Sequence, residues 1–124
     1  MKDGQTKVQK VTCVVDCGIV VNPIAAKNQI EGGIIDGIGH ALYGGVIFKD
    51  GVPNAQNFDA YSLIRNSDAP VEIETHFVDN GIDPTGLGEP TLPPIMGALA
   101  NALYQATGKR FTKQPFVEDM NVLG

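Results

Sequence analysis

The sequence predicts an α+β fold, a small mixed or antiparallel sheet packed by two main helices, in one domain spanning residues 1–124. Two stretches carry the helices. Ile30, Ile34, Ile38, Ala41 and Leu42 recur at the spacing of one helix face, as do Ile95, Leu99, Ala102, Leu103 and Ala106. A third stretch carries the sheet. Residues 71–78 alternate, with Val71, Ile73, Thr75 and Phe77 on one side and Glu72, Glu74, His76 and Val78 on the other. No internal repeat or linker separates these segments, so one unit accounts for the chain.

Taken in order, residues 8–16 are β-rich and end in a continuous apolar run, which predicts a well-buried strand. Cys13 and Cys17 fall within or just beyond it. Four residues of extended chain separate their Cα atoms by about 13 Å. A disulfide needs Cα atoms within ~7 Å, so the expectation is two buried free thiols. Zinc would need further ligands, and His40 and His76 are distant in sequence. Asn22-Pro23 supplies an N-cap and a proline suited to the first helical position, so a helix is expected over 23–43. One face of it carries Gln29, Gly33, Gly37 and His40, with Gly32 and Gly39 alongside. Each mid-helix glycine costs about 1 kcal/mol relative to alanine, so the group needs a reason. Either another element packs closely on this floor, or a planar ligand lies across it.

Gly44-Gly45 stops the helix, and Asp50-Gly51 predicts the turn of a hairpin. Residues 54–69 read as irregular, with 61–64 as a short ordered piece. In the alternating strand His76 lies on the polar face and is expected at the surface. Asp79-Asn80-Gly81 turns the chain towards Gly86-Leu87-Gly88-Glu89-Pro90. In that loop two glycines free the backbone, while Pro90 fixes its own φ and pushes Glu89 towards extended geometry. One carboxylate is thereby held at a defined angle ahead of a buried helix. Two readings stand: a general base, or an acidic residue placed favourably near a helix N-terminus. The second helix ends at Gly108, residues 109–116 form an extended tail packed on the domain, and 117–124 carry no usable pattern.

Composition narrows the function classes. With 43% apolar and 19% charged residues the chain is globular rather than disordered. A net charge of −5, with Lys109-Arg110 as the sole adjacent cationic pair, argues against nucleic acid and anionic membrane surfaces. No run approaches the ~18 apolar residues of a membrane span. The polar start Met1-Lys2-Asp3-Gly4 carries no signal-peptide pattern. Neither a GxGxxG nor a Walker pattern occurs.

Gly86-Leu87-Gly88-Glu89-Pro90, with Asn22-Pro23, Gln29-Ile30-Glu31-Gly32-Gly33 and Gly37-Ile38-Gly39 upstream, resembles the molybdenum hydroxylases, the xanthine dehydrogenase and aldehyde oxidase family. The resemblance runs from about Val11 onward and is nearest to the large subunit of the isoquinoline 1-oxidoreductase type. It implies a C-terminal molybdopterin-binding domain, a fragment of a much longer subunit, and Met1 as the start of an excised piece or a split gene product. The implied reaction hydroxylates an N-heterocycle or oxidises an aldehyde with oxygen from water. By the same resemblance Glu89 matches the catalytic base, Gln29 the amide beside the molybdenum centre, and Leu87 and Gly88 backbone lying against the pterin. No direct metal ligand is implied in this chain. His40 also occupies a histidine position of these relatives, without an assigned role. The implied cofactor is molybdopterin, as the cytosine dinucleotide in the full enzyme, with iron–sulfur clusters on a small partner subunit. The implied partners are the remainder of the molybdopterin subunit and that small subunit. Alone, the chain is expected to bind no cofactor, to lack activity, and to self-associate through an exposed groove lined by Gln29, Gly33 and Glu89. The compartment is left open between cytoplasm and periplasm or inner-membrane surface. The competing expectation is a non-catalytic structural or subunit-interaction domain of the same fold.

Overall fold

A computed structural model describes residues 7–120. Two strands far apart in sequence, β1 (Lys10–Val15) and β4 (Glu72–Phe77), pair in parallel with Lys10 opposite Glu72 and Val15 opposite Phe77. Parallel pairing requires a long crossover, which begins here with α1 (Pro23–Tyr43). A separate hairpin, β2 (Phe48–Lys49) and β3 (Val52–Pro53), follows α1. Asp50 and Gly51 both take positive φ at its tip, as the turn chemistry predicts. The architecture is therefore mixed α+β, with two separate two-stranded sheets.

Helix α1 starts and stops where the sequence indicates. The Asn22 side chain accepts a hydrogen bond from the Ala25 N–H at 3.1 Å, and Gly44 caps the other end. Ile30, Ile34 and Ile38 are fully buried against α2 (Leu92–Thr107), which contributes Ile95, Leu99 and Leu103. Thr91, at the N-cap of α2, makes no cap hydrogen bond with its side chain. Its buried hydroxyl instead donates to the Ile30 carbonyl at 3.3 Å, tying the two helices together. Gly108 ends α2 at φ 74°, its N–H donating to the Tyr104 carbonyl. Beyond it Phe111 and Phe116 are buried and meet edge to face with ring centroids 5.7 Å apart. The tail thus packs back as expected, but it then forms a short helix, α3 (Phe116–Met120), that no pattern announced.

Three expectations need correction. Strand β1 is buried on one side only: Val11, Cys13 and Val15 turn inward, whereas Lys10, Thr12 and Val14 turn outward. A sheet of two strands covered on one face cannot bury a continuous apolar run. Cys17 is buried but Cys13 only half-buried, and both are free thiols. Burial pushes the Cys13 thiol pKa up. Residues 61–64 form no regular element; the local order lies just after, in a 3-10 turn at Asn66–Asp68. The outward face of β4 is polar as read, with Lys10 of β1 bridging Glu72 at 3.0 Å and Glu74 at 2.8 Å. His76 stands exposed beside Glu74.

Candidate functional site

The polypeptide does not separate after β1 and β4. The Val78 N–H donates to the Val15 carbonyl at 2.8 Å, Ile19 to Ile82 at 3.0 Å, and Thr85 to Cys17 at 2.9 Å. Two loops therefore run side by side beyond the C-terminal ends of the parallel strands. Gly18 makes this approach feasible. At φ +68°, a Cβ there would lie 2.3 Å from the Asp83 carbonyl oxygen. A further bridge runs between the strand ends. Asp16 Oδ1 accepts from the Asn80 amide at 2.7 Å and from the Gly18 N–H at 3.3 Å. Asp16, Gly18 and Asn80 are not among the site residues that the sequence singles out. The signals present, Asp-Cys-Gly and Asp-Asn-Gly, mark turns without saying that the turns meet.

The paired loops and the first turns of α1 enclose an open groove of about 260 Å³. Cys17, Ile19, Val20 and Val21 form one wall, Ala25, Ala26 and Gln29 the floor, and Pro84, Thr85, Leu87 and Gly88 the other wall. Its position, outside the carboxyl ends of parallel strands, is where open α/β sheets bind ligands. Three of the four residues singled out by sequence border it: Gln29, Leu87 and Gly88. The exposed Gln29 amide donates to the Gly88 carbonyl at 3.5 Å, across 59 positions of chain. Glu89 follows immediately, exposed, at the turn where the Leu92 N–H donates to its carbonyl at 3.3 Å. No hydrogen bond or ion pair reaches its carboxylate from the described residues.

The glycine-rich face of α1 is a different matter. A Cβ at Gly33 would sit 2.4 Å from Thr91 Oγ1, and one at Gly37 would sit 2.3 Å from Ile95 Cγ2 and 2.7 Å from the Leu92 carbonyl oxygen. Gly39 meets Ile64 in the same way. These glycines exist because α2 and the segment before β4 press directly on the helix, so no planar ligand lies across them. Gly33 accordingly does not line the groove, and neither does Glu89. His40 is turned away, half-exposed, with its Nε2 3.7 Å from Asp36. Among the described residues no three His, Cys, Asp or Glu side chains cluster in a metal-holding group. No helix among them is long and apolar enough to cross a membrane.

A family model for the molybdopterin cofactor-binding domain matches residues 1–70, more than half of the chain. The chain belongs to this family. As a molybdopterin cofactor-binding domain it has relatives among the molybdenum hydroxylases. It is 36% identical over 113 residues to the isoquinoline 1-oxidoreductase subunit beta of Brevundimonas diminuta, covering 91% of this chain. It is 35% identical over 112 residues to the membrane-bound aldehyde dehydrogenase (pyrroloquinoline-quinone) of Gluconacetobacter polyoxogenes, covering 90%. The crystal structure of quinoline 2-oxidoreductase from Pseudomonas putida 86 superposes on 96% of the chain with a TM-score of 0.81 at 25% identity. The chain spans only 14% of each of the two relatives and 16% of that structure, so it matches a fragment of a molybdenum hydroxylase large subunit.

The groove fits part of such a group. A Cβ at Gly86 or Gly88 would touch nothing within 4 Å, so flat backbone is open to a ring system, and the Gln29 amide stands at its edge. No Lys or Arg lines the groove to meet a phosphate.

Proposed function

We propose that this domain forms one wall of the molybdopterin site in a larger oxidoreductase that hydroxylates an N-heterocycle or oxidises an aldehyde with water-derived oxygen. The supporting observation is the Gln29–Gly88 hydrogen bond, which joins α1 to the loop carrying Glu89 at the end of the parallel strands. When bound, the cofactor supplies a molybdenum centre that takes up the substrate's electrons. The chain's own residues do the rest. Glu89 is the general base, set at the turn just before Pro90 with its carboxylate exposed and free to accept a proton. Gln29 spends one N–H on Gly88 and retains a second N–H and its carbonyl to orient a ligand without adding charge. Leu87 and Gly88, which line the groove, would hold the pterin through their backbone.

Glu89 is exposed in this chain, so the surfaces that exclude water from it belong to the rest of the subunit. That remainder, a cytosine dinucleotide extension of the cofactor and a small iron–sulfur subunit complete the proposed enzyme. Alone, residues 1–124 act as a single C-terminal-type domain that holds cofactor poorly, turns nothing over, and associates with itself through the groove. A second reading, a structural or subunit-interaction domain without chemistry, draws on the sealed glycine face and the exposed, unpaired Glu89. Replacing Glu89 with Gln in the full-length enzyme decides between them. Loss of turnover by about 10²–10⁴-fold with molybdenum content unchanged supports the base, and retained turnover favours the structural reading.

A further inference from the structure

Asp16 and Asn80 lie outside the groove, yet they hold its two walls together. Asp16 follows the last residue of β1, and Asn80 lies three residues beyond β4. The Asn80 amide donates to Asp16 Oδ1 at 2.7 Å, a short hydrogen bond to a carboxylate and therefore a strong one. The Asn80 side-chain Oδ1 accepts from the Ile82 N–H at 3.1 Å, and the Ile82 backbone carbonyl accepts from the Ile19 N–H at 3.0 Å. The same Asp16 oxygen holds the Gly18 N–H, fixing the residue whose missing Cβ lets the loops touch. One connected set of hydrogen bonds thus runs from Asp16 through Asn80 and Ile82 to Ile19, inside the groove wall. Thr85, bonded to the Cys17 carbonyl, carries the link to the opposite wall three residues before Gly88.

We infer that Asp16 and Asn80 are positioning residues: they set the distance between the groove walls, and through Thr85 and Gly88 the placement of Glu89. The inference rests on the proposed reading of the groove as the cofactor site. It does not require Asp16 to touch a ligand. Backbone hydrogen bonds alone would leave the loops free to hinge at Gly18 and Gly81, both at positive φ. The side-chain bridge joins the two loops just before these glycines, and Asn80 Oδ1 reaches across Gly81 to the Ile82 N–H.

The test compares Asp16→Ala with Asp16→Asn in the full-length protein. Asparagine keeps an Oδ1 acceptor at the same place, whereas alanine removes it. Hydrogen exchange should rise at least tenfold at the Ile19 and Thr85 amides in D16A, with α2 amides unchanged, and return towards the parent in D16N. In the same variants, D16A should lower molybdenum retention and, per bound molybdenum, lower kcat more than it raises KM, with D16N restoring both. Unchanged exchange at Ile19 and Thr85 in D16A overturns the inference, because the bridge then holds nothing. Faster exchange with unaltered molybdenum retention and kcat also overturns it, because the walls then move without consequence. Failure of the underlying reading looks different: E89Q keeps turnover while D16A still loosens the loops.

Discussion

The two halves of α1 make opposite use of small residues. On one, Gly33, Gly37 and Gly39 are consumed by the chain itself, pressed against Thr91, Ile95, Leu92 and Ile64. At the other, Ala25, Ala26 and Gln29 face an open groove bordered by the Gly88 loop. Read as a sequence, the glycine stripe fitted either a closely packed element or a ligand floor. In the structure it is packed, and the open groove lies over a stretch one turn nearer the N-terminus. Small side chains mark close approach, and they do so whether the approaching object is a ligand or another helix.

The largest expected effect on this contrast comes from Gly37→Ala. Its Cβ meets the Leu92 backbone as well as the end of Ile95, so the helices must part. Overpacking of this kind costs about 1–3 kcal/mol, and chemical denaturation of the purified chain should show it. A stability equal to the parent's would mean that the α1–α2 contact is looser than described. Gly32→Ala should go the other way. Nothing lies within 4 Å of a Cβ there, so relief of the helix penalty should add about 0.5–1 kcal/mol to the same measurement. Opposite signs at two glycines five residues apart would establish which face is packed.

Gln29→Ala sharpens the groove side. The side chain is exposed and its hydrogen bond long, so stability should move by less than about 0.5 kcal/mol. Molybdenum retention in the full-length enzyme should nonetheless fall. A variant that loses stability and keeps its metal would assign Gln29 to packing.

The smallest effect belongs to the outward face of the sheet. A hydrogen bond from Lys10 holds the Glu74 carboxyl below its ordinary value, assisted by the charge of Lys10. The sign follows from the depressed folded-state value. The contribution is present above the ordinary carboxylate pKa and is lost as pH falls through the lowered one. Both groups are solvent-exposed, so it is weak. In Lys10→Met, NMR titration should find the Glu74 carboxyl shifted back up, and an unmoved titration would show that the pair does not form in solution.

Local signals carried much of the fold. The Asn22 cap, Pro23, the isoleucine spacing of α1 and the Gly108 stop each depend on a few neighbouring residues, and each element lies where those residues put it. The alternation over 71–78 identified a half-buried strand for the same reason. The family motifs were equally local: of Gln29, Leu87, Gly88 and Glu89, which they singled out, the first three border the groove and Glu89 does not.

What the sequence by itself determined, then, was the identity of the elements and the short motifs within them, because backbone propensity, capping and periodicity act over a handful of residues. Only the tertiary structure decided that β1 pairs with β4 in parallel, that α2 closes the glycine face, that the buried Phe116 begins a short helix, and that Asp16 meets Asn80. Each of these is a contact between segments whose local sequence carries no record of the other. Their free energy arises on assembly, from buried apolar surface and hydrogen bonds across tens of residues, so no local pattern can announce them.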